Sequence, residues 1–162
     1  MKTHFETFAR YNAWANQRLY TAVAEVPDAQ YHEDRGAFFG SLHGTLNHIL
    51  VGDRAWLARI TGDGLSPASL DQILCDDFVT LRQARTAEDD RIVRVIGGMD
   101  ESQLAGTLKY RNMRGDPMEQ PLTQVLAHVF NHQTHHRGQA HTLLSQMGYE
   151  APALDLVYFL RD

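Results

Sequence analysis

Five of the nine histidines in this 162-residue chain fall between His128 and His141. Within that stretch Val125, Val129, His132, His136, Ala140, Leu143 and Met147 follow one another at steps of three and four residues. At roughly 100° per residue these positions share about 80° of a helical wheel, so His132 and His136 interrupt an apolar stripe from within it. Both are expected to point into the molecule. Two imidazoles one turn apart bring ring nitrogens close enough to share a cation, and neutral imidazole is the commonest side-chain metal ligand. A cation there would offset the cost of taking two rings out of water. The competing reading of either residue is a hydrogen-bonded core histidine, since HxxxH also arises by chance. His128 and His135 sit at the margin of the stripe, and His141 lies farther out, facing solvent.

A mononuclear site needs a third protein ligand from another segment. His43 and His48 are available in an upstream helix. Five residues apart, their side chains diverge by roughly 140° and cannot both aim at one point. Both fall on the flanks of that helix's apolar stripe, so wheel geometry leaves the choice between them open.

Four amphipathic segments must position these rings. The first runs from about Thr3 to Val26, with Thr3 and Glu6 at capping-box spacing, Phe5, Phe8, Ala15, Leu19, Ala22 and Val26 at helical spacing, and Pro27 as its stop. The stretch through Ala29 and Gly36 to Gly40 reads as a loop. The second helix spans Ser41 to the glycine-rich stop Thr61-Gly62-Asp63-Gly64, with Leu42, Leu46, Ile49, Leu57 and Ile60 as its stripe. A third covers about Asp76 to Ile96, with Phe78, Leu81, Ile92, Val95 and Ile96 toward the core, and Gly97-Gly98 breaks it. Between Thr107 and Gln120 the pattern changes. There Leu108, Tyr110 and Met118 flank a Gly115-Asp116-Pro117 turn, giving a short hairpin or an extended loop. The last long helix runs from Pro121 to Gly148, and a greasy tail, Ala151 to Asp162, is expected to dock on the bundle or on a second subunit. No internal repeat or linker divides residues 1–162. The expected fold is therefore all-α: a single-domain antiparallel four-helix bundle with a short irregular or hairpin insertion before the last long helix.

Composition narrows the function. A net charge of -5, with arginines scattered beside acids, disfavours binding to a phosphate backbone, so no nucleic-acid role is expected. The start Met1-Lys2-Thr3-His4-Phe5-Glu6 has no signal-peptide pattern, and no stretch approaches the roughly 18 apolar residues of a membrane span. The single cysteine, Cys75, cannot form an internal disulfide, which fits a reducing cytoplasmic setting.

Four stretches together carry a family resemblance: Tyr11-Asn12-Ala13-Trp14-Ala15-Asn16, Gly40 to Leu50 around Leu46-Asn47-His48-Ile49, Asp53-Arg54-Ala55-Trp56-Leu57, and His128 to Gln139. The chain resembles the DinB family, DNA-damage-inducible proteins within the wider DinB/YfiT-like metalloenzyme superfamily. The polymerase that shares the name is unrelated. The resemblance covers nearly the whole chain and implies a four-helix bundle, frequently dimeric, with a metal held by three histidines. The family's first histidine matches His48, and its paired histidines match His132 and His136 ahead of Arg137-Gly138-Gln139. The resemblance thus selects His48 over His43. Family members with assigned activities include thiol transferases using bacillithiol or mycothiol and maleylpyruvate isomerases using mycothiol or glutathione.

Three neutral ligands would leave one divalent ion, zinc or nickel first and iron or manganese also compatible, with its full charge and open positions. Gln133 stands where a zincin carries its glutamate, and no Glu-x-x-His pair marks a di-iron bundle. Further candidates around the cleft are Gln139, which could orient a ligand or water, His128, His135, and Tyr11 and Trp14, which could line its mouth or simply pack. Asp53, near the centre of the second helix's stripe, could pair with the neighbours of Arg54, orient a histidine or bind the opposite helix, with Arg59 and Arg137 as conceivable partners. The expected function is metal-dependent chemistry on a small molecule, with transfer of a low-molecular-weight thiol to an electrophile as its form. The alternative is a non-catalytic stress-response protein whose metal is structural or senses a ligand. A fourth protein ligand, with His128 or His135 the nearest candidates, would favour the alternative.

Overall fold

The first helix of the computed structural model, α1 (Lys2–Val23), begins without a side-chain cap of its own. The expected Thr3–Glu6 capping box does not form, because the helix starts at Lys2 and Thr3 lies inside its first turn. Glu101 instead reaches in from a distant segment and accepts from the backbone amide of Lys2 at 3.1 Å. A carboxylate at a helix N-terminus satisfies free N–H groups and favours the macrodipole, whichever part of the chain supplies it. The structure describes residues 1–64 and 66–161; Asp162, the last residue of the expected tail, lies outside the described residues.

After α1 a short helix, α2 (Asp28–His32), occupies part of the expected loop, with Pro27 as its N-cap. Helix α3 (Leu42–Thr61) is capped by Ser41, whose hydroxyl accepts from the Gly44 amide, and ends on Gly62 at φ 74°, where glycine is favoured. Helix α4 (Phe78–Gly98) is capped by Asp77 and keeps both of its terminal glycines within the helix. A single turn, α5 (Glu101–Leu104), carries a capping box between Asp100 and Gln103. Strands β1 (Thr107–Arg111) and β2 (Pro117–Pro121) pair antiparallel, so the insertion is a hairpin. Helix α6 (Leu122–Gln146) follows directly with Pro121 as its N-cap, and α7 (Leu156–Phe159) closes the chain.

The long helices make the bundle: α1 packs on α4 and α6, and α3 packs on α6 and α4. No helix among the described residues is long and apolar enough to cross a membrane. The core has two apolar layers. One holds Leu19, Leu46, Leu50, Leu81 and Leu144. The other holds Phe5, Leu57, Ile92, Leu126 and Phe130. Between them all four long helices contribute polar side chains, and this middle layer is as buried as the rest. Arg85 is 2% exposed and Asp53 1%.

Charge balance makes that layer tolerable. Arg85 Nη1 donates to Asp53 Oδ2 at 2.5 Å, and its Nη2 lies 3.0 Å from Asp89 Oδ1. Asp89 also accepts from Asn16 Nδ2 at 2.9 Å and Asn12 Nδ2 at 3.2 Å. Arg137 Nη1 donates to the side-chain oxygens of Asn12, Asn16 and Gln133, while the Gln133 amide donates to Asp53. Two guanidinium groups and two carboxylates thus share one connected network. Burial pushes both carboxyl groups up, against the opposing pull of Arg85, and Asp89 is raised to about 6.

Candidate metal centre

On the face of the bundle where α3 meets α6, three imidazoles from two helices converge. His48 Nε2 lies 3.0 Å from His132 Nε2 and 3.2 Å from His136 Nε2. The other nitrogens fix the protonation pattern. His48 Nδ1 lies 2.7 Å from the Leu70 carbonyl oxygen, and His136 Nδ1 lies 2.7 Å from Gln139 Oε1. Both partners are oxygen acceptors, so each Nδ1 carries the hydrogen. In the neutral rings Nε2 is then a lone pair, and the His48 and His136 lone pairs face each other. Two acceptors cannot hydrogen-bond; a cation between them removes the conflict. Donors about 2.0–2.1 Å from one tetrahedral ion stand about 3.3–3.4 Å apart, close to the spacing found here. The three histidines form a cluster able to hold a metal ion.

The rings are held neutral as well as close. Burial, and then the neighbouring imidazoles of His136 and His48, push His132 down to about 3. Burial lowers His48 against the opposing Leu70 carbonyl, and lowers His136 against the opposing Gln139 side chain. A metal therefore competes with few protons at neutral pH.

Backbone space is the less visible requirement. Gly52 sits in the middle of α3, one turn after His48, where a Cβ would stand 2.5 Å from His132 Cε1. A methyl group there displaces the imidazole. Gly44 does similar service at the start of α3: a Cβ would meet the Phe39 carbonyl oxygen at 2.1 Å. That close crossing brings the Phe39 ring onto His48, stacked at 3.7 Å with an 18° interplanar angle, so one side of the centre is walled by an aromatic ring.

Gly52→Ala tests this steric account. Alanine raises helix propensity by roughly 1 kcal/mol over glycine, so α3 itself is not weakened. Metal affinity should nevertheless fall about 10–100-fold, the range for disturbed ligand support. Isothermal titration with zinc alongside thermal unfolding of the metal-free protein separates the two effects. Unchanged affinity would show that His132 has room to spare.

Comparison with known proteins follows the same lines. The family model described as "DinB family" matches residues 1–162. The chain belongs to the DinB family. Its sequence is similar to Protein DinB of Bacillus subtilis (strain 168), 29% identical over 157 residues, covering 93% of this chain and 90% of that protein. Its fold is similar to the crystal structure of a DinB-like protein from Bacillus cereus ATCC 10987, with a TM-score of 0.68 at 18% identity over 90% of this chain and 94% of that one. The latter likeness establishes the fold.

In this DinB-family protein the remaining candidates divide. Gln139 accepts from His136 and so orients that ring. His128 stacks edge-on to Trp56 at 5.1 Å, and its ring lies 5.9 Å from that of His132. His135 is exposed, with Nε2 3.4 Å from Gln139 Nε2. His43 is drawn away altogether, donating from Nε2 to the Cys75 carbonyl at 2.9 Å. Asp53 pairs with Arg85 of α4 and accepts from Gln133, rather than meeting Arg59 or Arg137 directly. The arginine that reaches it lies on a helix whose packing the sequence did not reveal.

Tyr11 and Trp14 serve the C-terminal tail. The Tyr11 hydroxyl donates to the Leu154 carbonyl at 2.7 Å, and both rings pack on Phe159 at about 6 Å. His141, expected to face solvent, is half-buried and donates from Nε2 to the Pro152 carbonyl at 3.1 Å. The tail thus docks on the bundle. Sequence reasoning missed Gly52, Phe39 and the Leu70 carbonyl. Only Gly52 left a signal, as a mid-helix glycine with no turn to explain it.

Proposed function

We propose that this protein is a metal-dependent enzyme that transfers a low-molecular-weight thiol to a small electrophile, with zinc or nickel on His48, His132 and His136. The observation that carries this reading is the three-nitrogen cluster itself, which gains no fourth histidine, cysteine or carboxylate among the described residues. Structural zinc sites are closed by four protein ligands, whereas catalytic sites keep a position open. His128 and His135, the candidates for a fourth ligand, turn toward Trp56 and Gln139. A purely structural role is the weaker reading for that reason.

When bound, a divalent ion on three neutral imidazoles supplies Lewis acidity, which lowers the pKa of a thiol or water brought to it. The chain does the rest. The Leu70 carbonyl and the Gln139 side chain hold the His48 and His136 rings with their Nε2 lone pairs turned inward. Phe39 keeps water from one side of His48. In the transfer itself a sulfur–carbon bond forms as the electrophile's leaving group departs with its electron pair, and the thiol proton passes to solvent.

The test uses protein purified without a histidine tag. Its metal content is measured, and thiol consumption is then followed against a panel of alkylating electrophiles. Acceleration that disappears on chelation and returns with metal is the expected outcome. Stoichiometric metal with no acceleration of any thiol in the panel would reject the transferase reading.

A further inference from the structure

The metal centre continues into a row of aromatic and imidazole rings that ends on a cation. From His132 the next ring is His128 at 5.9 Å, then Trp56 at 5.1 Å, then Tyr110 of the hairpin at 5.3 Å. The Arg59 guanidinium lies over the Trp56 ring at 4.7 Å and over Tyr110 at 5.3 Å. His48 and Arg59 are eleven residues apart on α3, so they share a helix face within about 20° and stand about 16 Å apart along the axis. The arginine side chain leans back toward the helix N-terminus, which shortens that separation.

Arg59 joins none of the ion pairs among the described residues. The acid nearest to it in sequence on this side, Asp63, is taken by Arg91 at 2.9 Å. Glu119 of the hairpin is taken by Lys109 at 3.6 Å. On its far side Arg59 borders a cavity of about 450 Å³ that Arg111, Asn112 and Met113 also line. Arg111 spends one nitrogen on the Gly115 carbonyl at 2.6 Å and likewise joins no ion pair among the described residues. A half-buried guanidinium that lies over two aromatic rings and joins no ion pair among the described residues is suited to take an anion.

Resting on the function proposed above, we propose that Arg59 binds a carboxylate at the far end of a substrate whose other end reaches the three-histidine centre. The substrate class is then an extended, acidic small molecule, with a metal-binding donor such as sulfur at one end and a carboxylate at the other. Trp56 and His128 lie in the row of rings between the two ends.

The probe is the Co²⁺-loaded protein titrated with ω-mercaptocarboxylates of increasing chain length and with the matching ω-mercaptoamides, read by the thiolate-to-cobalt absorption band. The expected result is that one chain length favours the acid over its amide by about tenfold or more, the usual worth of a hydrogen bond to a charged group. Arg59→Gln should bring acid and amide within about twofold while leaving amide affinity and cobalt content unchanged, and Arg59→Lys should restore part of the preference. Equal binding of acid and amide at every length by the native protein would overturn the carboxylate site and leave Arg59 as a clamp between α3 and the hairpin. Failure of cobalt or of every thiol to bind would instead overturn the metal-centred function, and the carboxylate site with it.

Discussion

Arg85→Ala is expected to lower the folding stability by about 3–5 kcal/mol and the unfolding midpoint by on the order of 10 °C. The reason lies in the middle layer of the bundle, where Arg85 is buried between Asp53 at 2.5 Å and Asp89 at 3.0 Å. Alanine leaves two carboxyl groups dry and without their main counter-charge. They must then either stay ionised at high cost or take up protons.

The sign of the pH dependence follows. A carboxyl group raised in the fold, as Asp89 is to about 6, holds a proton that the unfolded chain has already released above about 3.9. Stability from such a group is fully present below the unfolded value and lost as pH rises through the folded one. Removing Arg85 moves that folded value higher still. The deficit of the variant relative to the native protein should therefore be smaller at pH 5 than at pH 8. Chemical denaturation at both values checks it. A loss under about 1 kcal/mol that does not change with pH would mean that water reaches the layer. Adding Asp53→Asn to Arg85→Met should recover part of the loss, because the one remaining carboxylate, Asp89, then balances Arg137 across Asn12 and Asn16.

His132→Ala is expected to remove nearly all bound metal. His132 is the most strongly depressed imidazole of the three, at about 3, because burial and both partner rings act on it together. Two histidines left in place make a much weaker site than three. The fold should survive: the apolar layers on either side do not include His132, and an alanine favours the helix. Elemental analysis of tag-free protein, set beside its unfolding midpoint, is the measurement. A variant that keeps one metal per chain would show that the ion is held elsewhere, and the proposed chemistry would move with it.

Much of this site was already written along the helices. The step of four residues between His132 and His136 inside an apolar stripe determined that both rings face one point, since a helix repeats its faces every 3.6 residues. The stops at Pro27, Gly62 and Gly148 likewise reported on local backbone preference, which is set by a few neighbouring residues. The hairpin was only half legible, because turn residues at Gly115 suit a loop as well as a strand pair.

What joined distant segments was not written there. His43 and His48 were equivalent on the wheel, and the family resemblance rather than periodicity chose between them. Tertiary packing alone sends His43 to the Cys75 carbonyl and turns His48 toward α6. The same holds for Asp53, whose partner Arg85 is 32 residues away on another helix, and for Glu101, which caps α1 from 99 residues away. Helical periodicity fixes the direction in which a side chain leaves its own helix. Which group it meets depends on how the helices pack, and that is decided by the summed burial of all four.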